Sequence, residues 1–95
     1  MREYELTFIV RPDLEEPDLT AVIERVKSLV TDNSGQVDKL ELWGTRQLAY
    51  PIQRIGTGQY VFMLSKLPPQ AIAEIDRGLK LSEEILRHLF VRIEE

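Results

Sequence analysis

The run Glu41–Ile52 reads ELWGTRQLAYPI and constrains the fold more than any other part of the chain. It begins as an alternation of apolar and polar residues, breaks at Gly44, and resumes with Leu48 and Tyr50 on one face of a strand. A glycine inside a strand marks a bulge or the close approach of another backbone. We therefore predict a long, bent strand over residues 36–52. A plain hairpin arm whose aromatic residues belong to the core is the alternative.

The rest of the chain divides into three further strands and two helices. The first strand alternates with a period of two, which places Tyr4, Leu6, Phe8 and Val10 on one face. The two helices show apolar residues at helical spacing, and each begins near a proline. The predicted elements are a strand Tyr4–Val10, a helix Pro17–Thr31, a strand Gln36–Ile52, a turn Gln53–Gly58, a strand Gln59–Lys66, a helix Pro68–Leu79 and a strand Ile85–Ile93.

The order β-α-β-β-α-β predicts an α+β fold, a ferredoxin-like sandwich formed by residues 1–95 as a single domain. Two β-α-β halves joined by a hairpin give a four-stranded antiparallel sheet in the order 4-1-3-2, with both helices on one face. The other face of the sheet is then uncovered. We expect the functional residues on that open face.

The composition argues against several classes of protein. With 12 basic and 16 acidic residues, the net charge of −4 speaks against a protein that holds nucleic acid alone through bulk electrostatics, although a local basic patch is allowed. The chain has no cysteine, which excludes thiol catalysis and cysteine-based zinc sites and fits a reducing cytoplasm. Its apolar runs are too short to span a bilayer, so we expect no membrane association.

Catalysis and metal binding find little support. His88 is the only histidine, and no motif places a serine nucleophile beside it. No metal-ligand spacing occurs. The two glycines of the turn before the third strand are not followed by a lysine and a helix, as a phosphate-binding loop would require. We therefore expect no catalytic residues, no metal, no cofactor and no small-molecule substrate.

RNA binding and protein binding remain as functions for the open face. The third strand lacks the basic-glycine-aromatic start of an RNA-recognition motif, and we expect Tyr60 and Phe62 to face the helices, which disfavours base stacking. A protein-binding patch could form from Ile9, Phe90 and Trp43 on the open face. Arginines that suit phosphate contacts are Arg2, Arg46, Arg54, Arg87 and Arg92.

Several runs of residues form a pattern that covers nearly the whole sequence and is most specific in the second strand. They are Tyr4-Glu5, the run Trp43-Gly44-Thr45-Arg46-Gln47-Leu48-Ala49-Tyr50-Pro51-Ile52, Gly58 and Tyr60, Ile85-Leu86-Arg87-His88, and Val91-Arg92. In these residues the chain resembles the bacterial small-subunit ribosomal protein S6 family.

The resemblance implies a function that composition and spacing alone leave open. Members of the family have the ferredoxin-like fold, form a heterodimer with ribosomal protein S18, and bind the central domain (platform) of the small-subunit ribosomal RNA in the cytoplasmic ribosome. Several members are acidic overall, which the shared binding mode tolerates because the partner supplies much of the positive charge. A net charge of −4 is therefore compatible with this function, and we expect the free chain to bind RNA weakly.

Site residues follow from position within the family pattern. Gln47 departs from that pattern, in which a further basic residue is frequent, and the acidic tail of some members is reduced here to Glu94-Glu95. A ferredoxin-like interaction or regulatory domain that binds no RNA is the alternative function. The predicted RNA-binding residues are Arg2, Arg46, Arg54, Arg87, His88 and Arg92, and the predicted partner-binding residues are Trp43, Tyr50 and Phe90.

Overall fold

The computed structural model describes residues 1–93. Glu94 and Glu95, which the sequence comparison with the family interprets as a shortened acidic tail, lie outside the described residues. The described chain forms the β-α-β-β-α-β order that the sequence predicted. Its elements are β1 (Arg2–Val10), α1 (Glu16–Asp32), β2 (Gln36–Ile52), β3 (Ile55–Leu67), a single 3-10 turn (Pro69–Ala71), α2 (Ile72–Leu81) and β4 (Ile85–Arg92).

The four strands form one antiparallel sheet in the order β2-β3-β1-β4, which confirms the predicted topology. The helices cover one face, and the core lies between them and the sheet. Phe8 from β1, Met63 from β3 and Ile75 from α2 are fully buried there. Because β-strand side chains alternate between faces, the same register leaves every second residue of each strand on the open face.

The turn between β2 and β3 is shorter than predicted. It consists of Gln53 and Arg54 alone, both with positive φ (52° and 68°), and Ile52 pairs directly with Ile55. Two positive φ angles are typical of the type I′ turn of a two-residue hairpin. The sequence did not reveal it, because such turns are usually built from Asn-Gly or Asp-Gly.

The prediction that Tyr60 and Phe62 face the helices is wrong. Their neighbours Val61 and Met63 are buried in the core, so the two aromatic residues lie on the open face. The row of Tyr60 and Phe62 has the larger apolar side chains, which makes it look like a core row in the sequence. The core row of β3 instead includes Ser65, which is also fully buried.

The prediction that Phe90 lies on the open face is also wrong. Phe90 is opposite Leu6 of β1, packs against the core and makes an edge-to-face contact with Tyr4, with ring centroids 6.3 Å apart. The open-face row of β4 is Arg87, Leu89 and Val91. An apolar row that includes Leu89 and Val91 looks like a core row in sequence, whereas the true core row begins with the polar residue His88.

The predicted bulge in β2 is confirmed at Gly44. The pairing of β2 with β3 shifts between Leu42 and Gly44, and Gly44 has a φ of +83°. The shift inserts one residue, which reverses the alternation of side chains beyond it. Trp43 and Arg46 are an odd number of residues apart and would face opposite sides of a regular strand, yet both contact open-face aromatic rings.

We expect Gly44→Ala to lower the free energy of unfolding by about 1–2 kcal/mol, because an L-residue is strained at this φ. A Cβ at position 44 would meet no atom within 4 Å, so the loss would come from the backbone alone. Gly56→Ala is the matched control. Its Cβ also enters open space and its φ is not left-handed, so stability should stay equal or rise slightly. Urea unfolding followed by circular dichroism measures both, and equal losses would contradict the prediction.

Candidate nucleic-acid interface

Arg46 lies among aromatic rings on the open face. Trp43 stacks on Phe62 with ring centroids 5.3 Å apart and planes inclined by only 7°. The guanidinium carbon of Arg46 lies 5.3 Å from the Trp43 ring centroid and 5.9 Å from that of Tyr60. Each cation–π contact at a site of this exposure contributes about 0.5–1 kcal/mol. The rings therefore favour one orientation of a side chain that would otherwise move freely.

The end of the β2–β3 hairpin reaches across the sheet. Arg87 donates a hydrogen bond from Nη1 to the Tyr50 hydroxyl at 2.9 Å, although β2 and β4 are at opposite edges of the sheet. Leu48 and Ile9 are each only 8% exposed, even though Ile9 lies on the face that the helices leave uncovered. Gly58 permits close packing here, since a Cβ at this position would lie 2.2 Å from Cγ2 of Ile9. The hairpin end thus covers part of the open face and brings Arg87 close to it.

Ion pairing separates the basic residues of the chain into two groups. Seven of them lie within 4.0 Å of a carboxylate oxygen, namely Arg11, Arg25, Lys27, Lys39, Lys66, Arg77 and Lys80. Among residues 1–93, no carboxylate comes within that distance of the remaining five, Arg2, Arg46, Arg54, Arg87 and Arg92. These five are the arginines that the sequence predicted as phosphate ligands.

Three of the five arginines share one end of the molecule. Arg46 and Arg54 belong to residues 42–65 and Arg87 belongs to residues 85–93, and neither segment contains an acidic residue. All three side chains are exposed. We call Arg46, Arg54 and Arg87 the arginine cluster. No described carboxylate lies within 4.0 Å of these three guanidinium groups, so their positive charge is not neutralised by an ion pair, although the whole chain is acidic.

Arg2 and Arg92 lie at the opposite end of the sheet. Arg92 is opposite Tyr4, and Arg2 is opposite Leu67 at the end of β3. Both positions belong to the helix-covered side of their strands. Arg2 is separated from Ile9, the residue opposite Arg87, by about 23 Å of strand at the usual rise per residue. The structure therefore does not bring these two arginines to the arginine cluster.

His88 lies apart from the arginines as well. It is opposite Phe8 on the helix-covered side, and its side chain is 10% exposed. Its Nε2 is 2.6 Å from Oδ1 of Asp76 on α2, and Oδ2 of the same carboxylate is 3.0 Å from Nζ of Lys80. His88 thus connects β4 to α2. The geometry gives no support to the predicted RNA contact of His88 or to the predicted partner contact of Phe90.

An apolar strip covers the open face beyond the arginine cluster. Leu89 and Val91 on β4 are 59% and 45% exposed. Across β1, the open-face residues of β3 complete the strip, because Thr7 is opposite both Phe62 and Leu89 and Glu5 is opposite both Leu64 and Val91. We call Phe62, Leu64, Leu89 and Val91 the apolar strip. Large exposed apolar side chains that lie together on a sheet are typical of a protein-binding surface. Leu89 and Val91 were not predicted as site residues, because the sequence pattern placed Phe90, in the other row of β4, on the open face.

Other candidate sites are weaker. A groove of about 500 Å³ lies between the helices on the side away from the open face, and its apolar lining includes Val22, Leu29 and Leu81. Among the described residues, no group of three or more histidine, aspartate or glutamate side chains is placed to hold a metal ion. Neither α1 nor α2 has the length and hydrophobicity that a membrane-spanning helix needs.

The chain matches one protein family in sequence and in structure. A family model described as Ribosomal protein S6 matches residues 3–92. Small ribosomal subunit protein bS6 of Desulforamulus reducens is 45% identical over 92 residues, which cover 97% of each chain. The bS6 protein of Moorella thermoacetica is 41% identical over 95 residues, which cover 100% of this chain and 97% of that one. The crystal structure of 30S ribosomal protein S6 from Thermotoga maritima superposes with a TM-score of 0.91 at 30% identity, over 97% of this chain and 87% of that one.

The contact between Asp76 and His88 predicts a pH dependence of stability. The hydrogen bond from His88, followed by that from Lys80, holds the pKa of Asp76 below the 3.8 of an unperturbed aspartate. The contribution of ionised Asp76 to the free energy of unfolding is therefore fully present above pH 3.8. It is lost as the pH falls through the lower pKa that Asp76 has in the folded state. We expect Asp76→Asn to be less stable than the wild type near neutral pH, with a difference that shrinks on acidification.

Urea unfolding between about pH 5 and about pH 2 measures this difference. His88→Gln removes the largest cause of the shift while leaving the carboxylate in place. The stability of His88→Gln should therefore change less than that of the wild type over the same pH range. A difference between the wild type and Asp76→Asn that stays constant over the whole range would contradict the assignment.

Proposed function

This chain belongs to the ribosomal protein S6 family, and we propose that it is a structural component of the small ribosomal subunit that binds ribosomal RNA of the central domain together with ribosomal protein S18. In this role it is not an enzyme and acts in the cytoplasm as part of the ribosome. One observation carries the RNA part of the proposal. Among the residues that the structure describes, the arginines without a carboxylate neighbour are those that the family pattern suggests for RNA, and three of them share the hairpin end of the molecule.

The chemistry of the arginine cluster suits a phosphate backbone. A guanidinium group presents several N–H donors in a planar fork that matches the oxygens of a phosphate. An arginine that is already paired with a carboxylate would have to give up that partner, whereas Arg46, Arg54 and Arg87 would not. Three such contacts are few for an acidic protein, because nucleic-acid affinity depends on the number of phosphates neutralised. The free chain should accordingly bind RNA weakly, and the partner should supply the remaining positive charge.

The apolar strip is the proposed surface for the partner. Leu89 and Val91 expose apolar area next to the arginine cluster, so a protein that covers the strip would extend the basic surface at the hairpin end. Glu5 lies within the strip and Glu41 is opposite Phe62 at its border, and these acids suit a basic partner. Of the residues that the sequence predicted as partner contacts, Trp43 lies between Phe62 of the strip and Arg46 of the cluster, and Tyr50 is hydrogen-bonded to Arg87 of the cluster.

We expect RNA binding to depend on the partner, on salt and on the arginine cluster. A gel-shift titration with a central-domain RNA fragment, at two salt concentrations, compares the free chain with its S18 complex. Arg54→Ala should weaken RNA binding by the complex about tenfold, as expected for one charge-assisted hydrogen bond. Arg77→Ala is the matched control, because this exposed arginine is ion-paired to Glu74 at 2.8 Å on the helix side. It should leave RNA affinity within about twofold, the spread expected of a neutral surface substitution.

Equal RNA affinity of the free chain and the complex would contradict the partner dependence, and no binding by either when both are folded would contradict the RNA-binding proposal. A folded complex that forms without any RNA affinity would favour the alternative, a ferredoxin-like interaction domain that binds no RNA. If Arg54→Ala and Arg77→Ala behave alike, the cluster is not the RNA-binding surface.

We expect Leu89→Ser to weaken S18 binding by about 1–2 kcal/mol, because it removes apolar area from the centre of the proposed contact. Leu81→Ser is the matched control, since Leu81 is 75% exposed but lies at the end of α2, on the helix side. It should not change the affinity. Isothermal titration calorimetry measures both variants, and equal losses from the two would place the partner elsewhere.

A further inference from the structure

The surroundings of Arg46 differ from those of the other arginines in the cluster. Its guanidinium group lies against two aromatic rings, whereas Arg54 lies in the two-residue turn at the far end of the hairpin. Within residues 1–93, no carboxylate is within 4.0 Å of Arg46 and its side chain donates no hydrogen bond to the protein. The residue opposite Arg46 on β3 is Gly58, which has no side chain to cover it. The guanidinium N–H donors of Arg46 are therefore held in place and remain free to bind a ligand.

This arrangement depends on three features of the sequence acting together. The bulge at Gly44 puts Trp43 and Arg46 on the same face. Phe62 fixes the Trp43 ring by stacking on it. Tyr60 provides a second ring beside the guanidinium group. An arginine side chain carries about 2 kcal/mol of rotamer entropy when free, so an arginine held by its neighbours loses less on binding.

We propose that Trp43 and Tyr60 are positioning residues that hold Arg46 as a preorganised two-donor fork for one phosphodiester group of the RNA. The inference rests on the proposed function and assigns different roles to Arg46 and Arg54 within the cluster. Arg46 acts through the geometry of its fork, and Arg54 acts as a mobile positive charge. Trp43 contributes to RNA binding only through Arg46 and makes no contact of its own with RNA or partner.

A double-mutant cycle on RNA binding by the S18 complex tests this division. Arg46→Ala and Trp43→Leu should each weaken binding about tenfold, as expected for the loss of one charge-assisted hydrogen bond. The double variant should be no weaker than Arg46→Ala alone. Losses that multiply to about a hundredfold would show that Trp43 acts independently of Arg46, and they would overturn the proposal. An unchanged affinity of Trp43→Leu would overturn it as well.

Salt dependence gives a readout that a purely structural role of Trp43 would not move. Trp43→Leu removes no charge, yet it should lower the slope of log K against log salt by about 0.7–0.9, the value of one lost phosphate contact, as Arg46→Ala does. Affinity for S18, measured separately by calorimetry, should be unchanged by Trp43→Leu. A loss of S18 affinity would make Trp43 a partner contact and would overturn the inference.

Conservative variants separate positioning from charge and from folding. Arg46→Lys keeps the charge but loses the planar fork, so it should weaken binding about as much as Arg46→Ala, whereas Arg54→Lys should stay within about twofold of the wild type. Trp43→Phe keeps a ring at the position and should retain most of the RNA affinity, which controls for a folding defect in Trp43→Leu.

If the wild-type complex binds no RNA, the proposed function fails and this inference fails with it. If the complex binds RNA but Arg46→Lys equals the wild type, only the inference fails.

Discussion

The pairing of β2 with β3 determines which side chains of this protein meet the helices and which meet solvent. The register places Val61 and Met63 in the core and leaves Tyr60 and Phe62 on the open face. A slip of one residue would exchange these rows and expose the core of the sheet, so burial of the core row fixes the register firmly. The open-face cluster of aromatic and arginine side chains is then a consequence of core packing. The bulge at Gly44 interrupts this register locally, and it adds Trp43 to that cluster.

The distribution of charge reconciles an acidic protein with a basic surface. The net charge of −4 describes the whole chain, but residues 42–65 and 85–93 contain arginines and no acidic residue. Strand order puts β2 and β4 at opposite edges of the sheet, but the hairpin end reaches across it, and the hydrogen bond between Arg87 and Tyr50 joins the two segments there. Elsewhere basic side chains are neutralised locally, as in the ion pair of Arg25 with Glu84 at 3.1 Å. A field at a surface depends on the nearest uncancelled charges far more than on the total, since salt screens the rest within about 8–10 Å.

The sequence predicted the topology well and the faces of two strands poorly, for physical reasons. Element order and right-handed crossovers leave few arrangements for two β-α-β halves, and an interior glycine in a strand indicates a bulge, so the sheet order and Gly44 were predictable. The face of β4 was not, because an exposed apolar row containing Leu89 looks more like core than a row containing His88. The row that contains His88 faces the helices, where Asp76 of α2 supplies a partner for the imidazole, and periodicity does not reveal such a contact between elements. The five arginines were identified from the sequence as residues that suit phosphate contacts, but only tertiary structure separates Arg46 and Arg54 from the distant Arg2.

The turn at the end of the hairpin shows how stability and function oppose each other locally. Gln53 and Arg54 both have left-handed backbone angles, which cost an L-residue about 1–2 kcal/mol each relative to a sequence suited to the turn. Asn-Gly would form the same turn with less strain. Strain of this kind persists where the surrounding structure imposes it, and it concentrates where a side chain is needed. The strand pairing imposes the turn here, and Arg54 places an exposed cation beyond the end of the sheet, where no described carboxylate lies within 4.0 Å of it. A glycine at position 54 would relieve the strain and remove that cation, so the RNA contact proposed for this arginine gives a physical reason for an unfavourable turn residue.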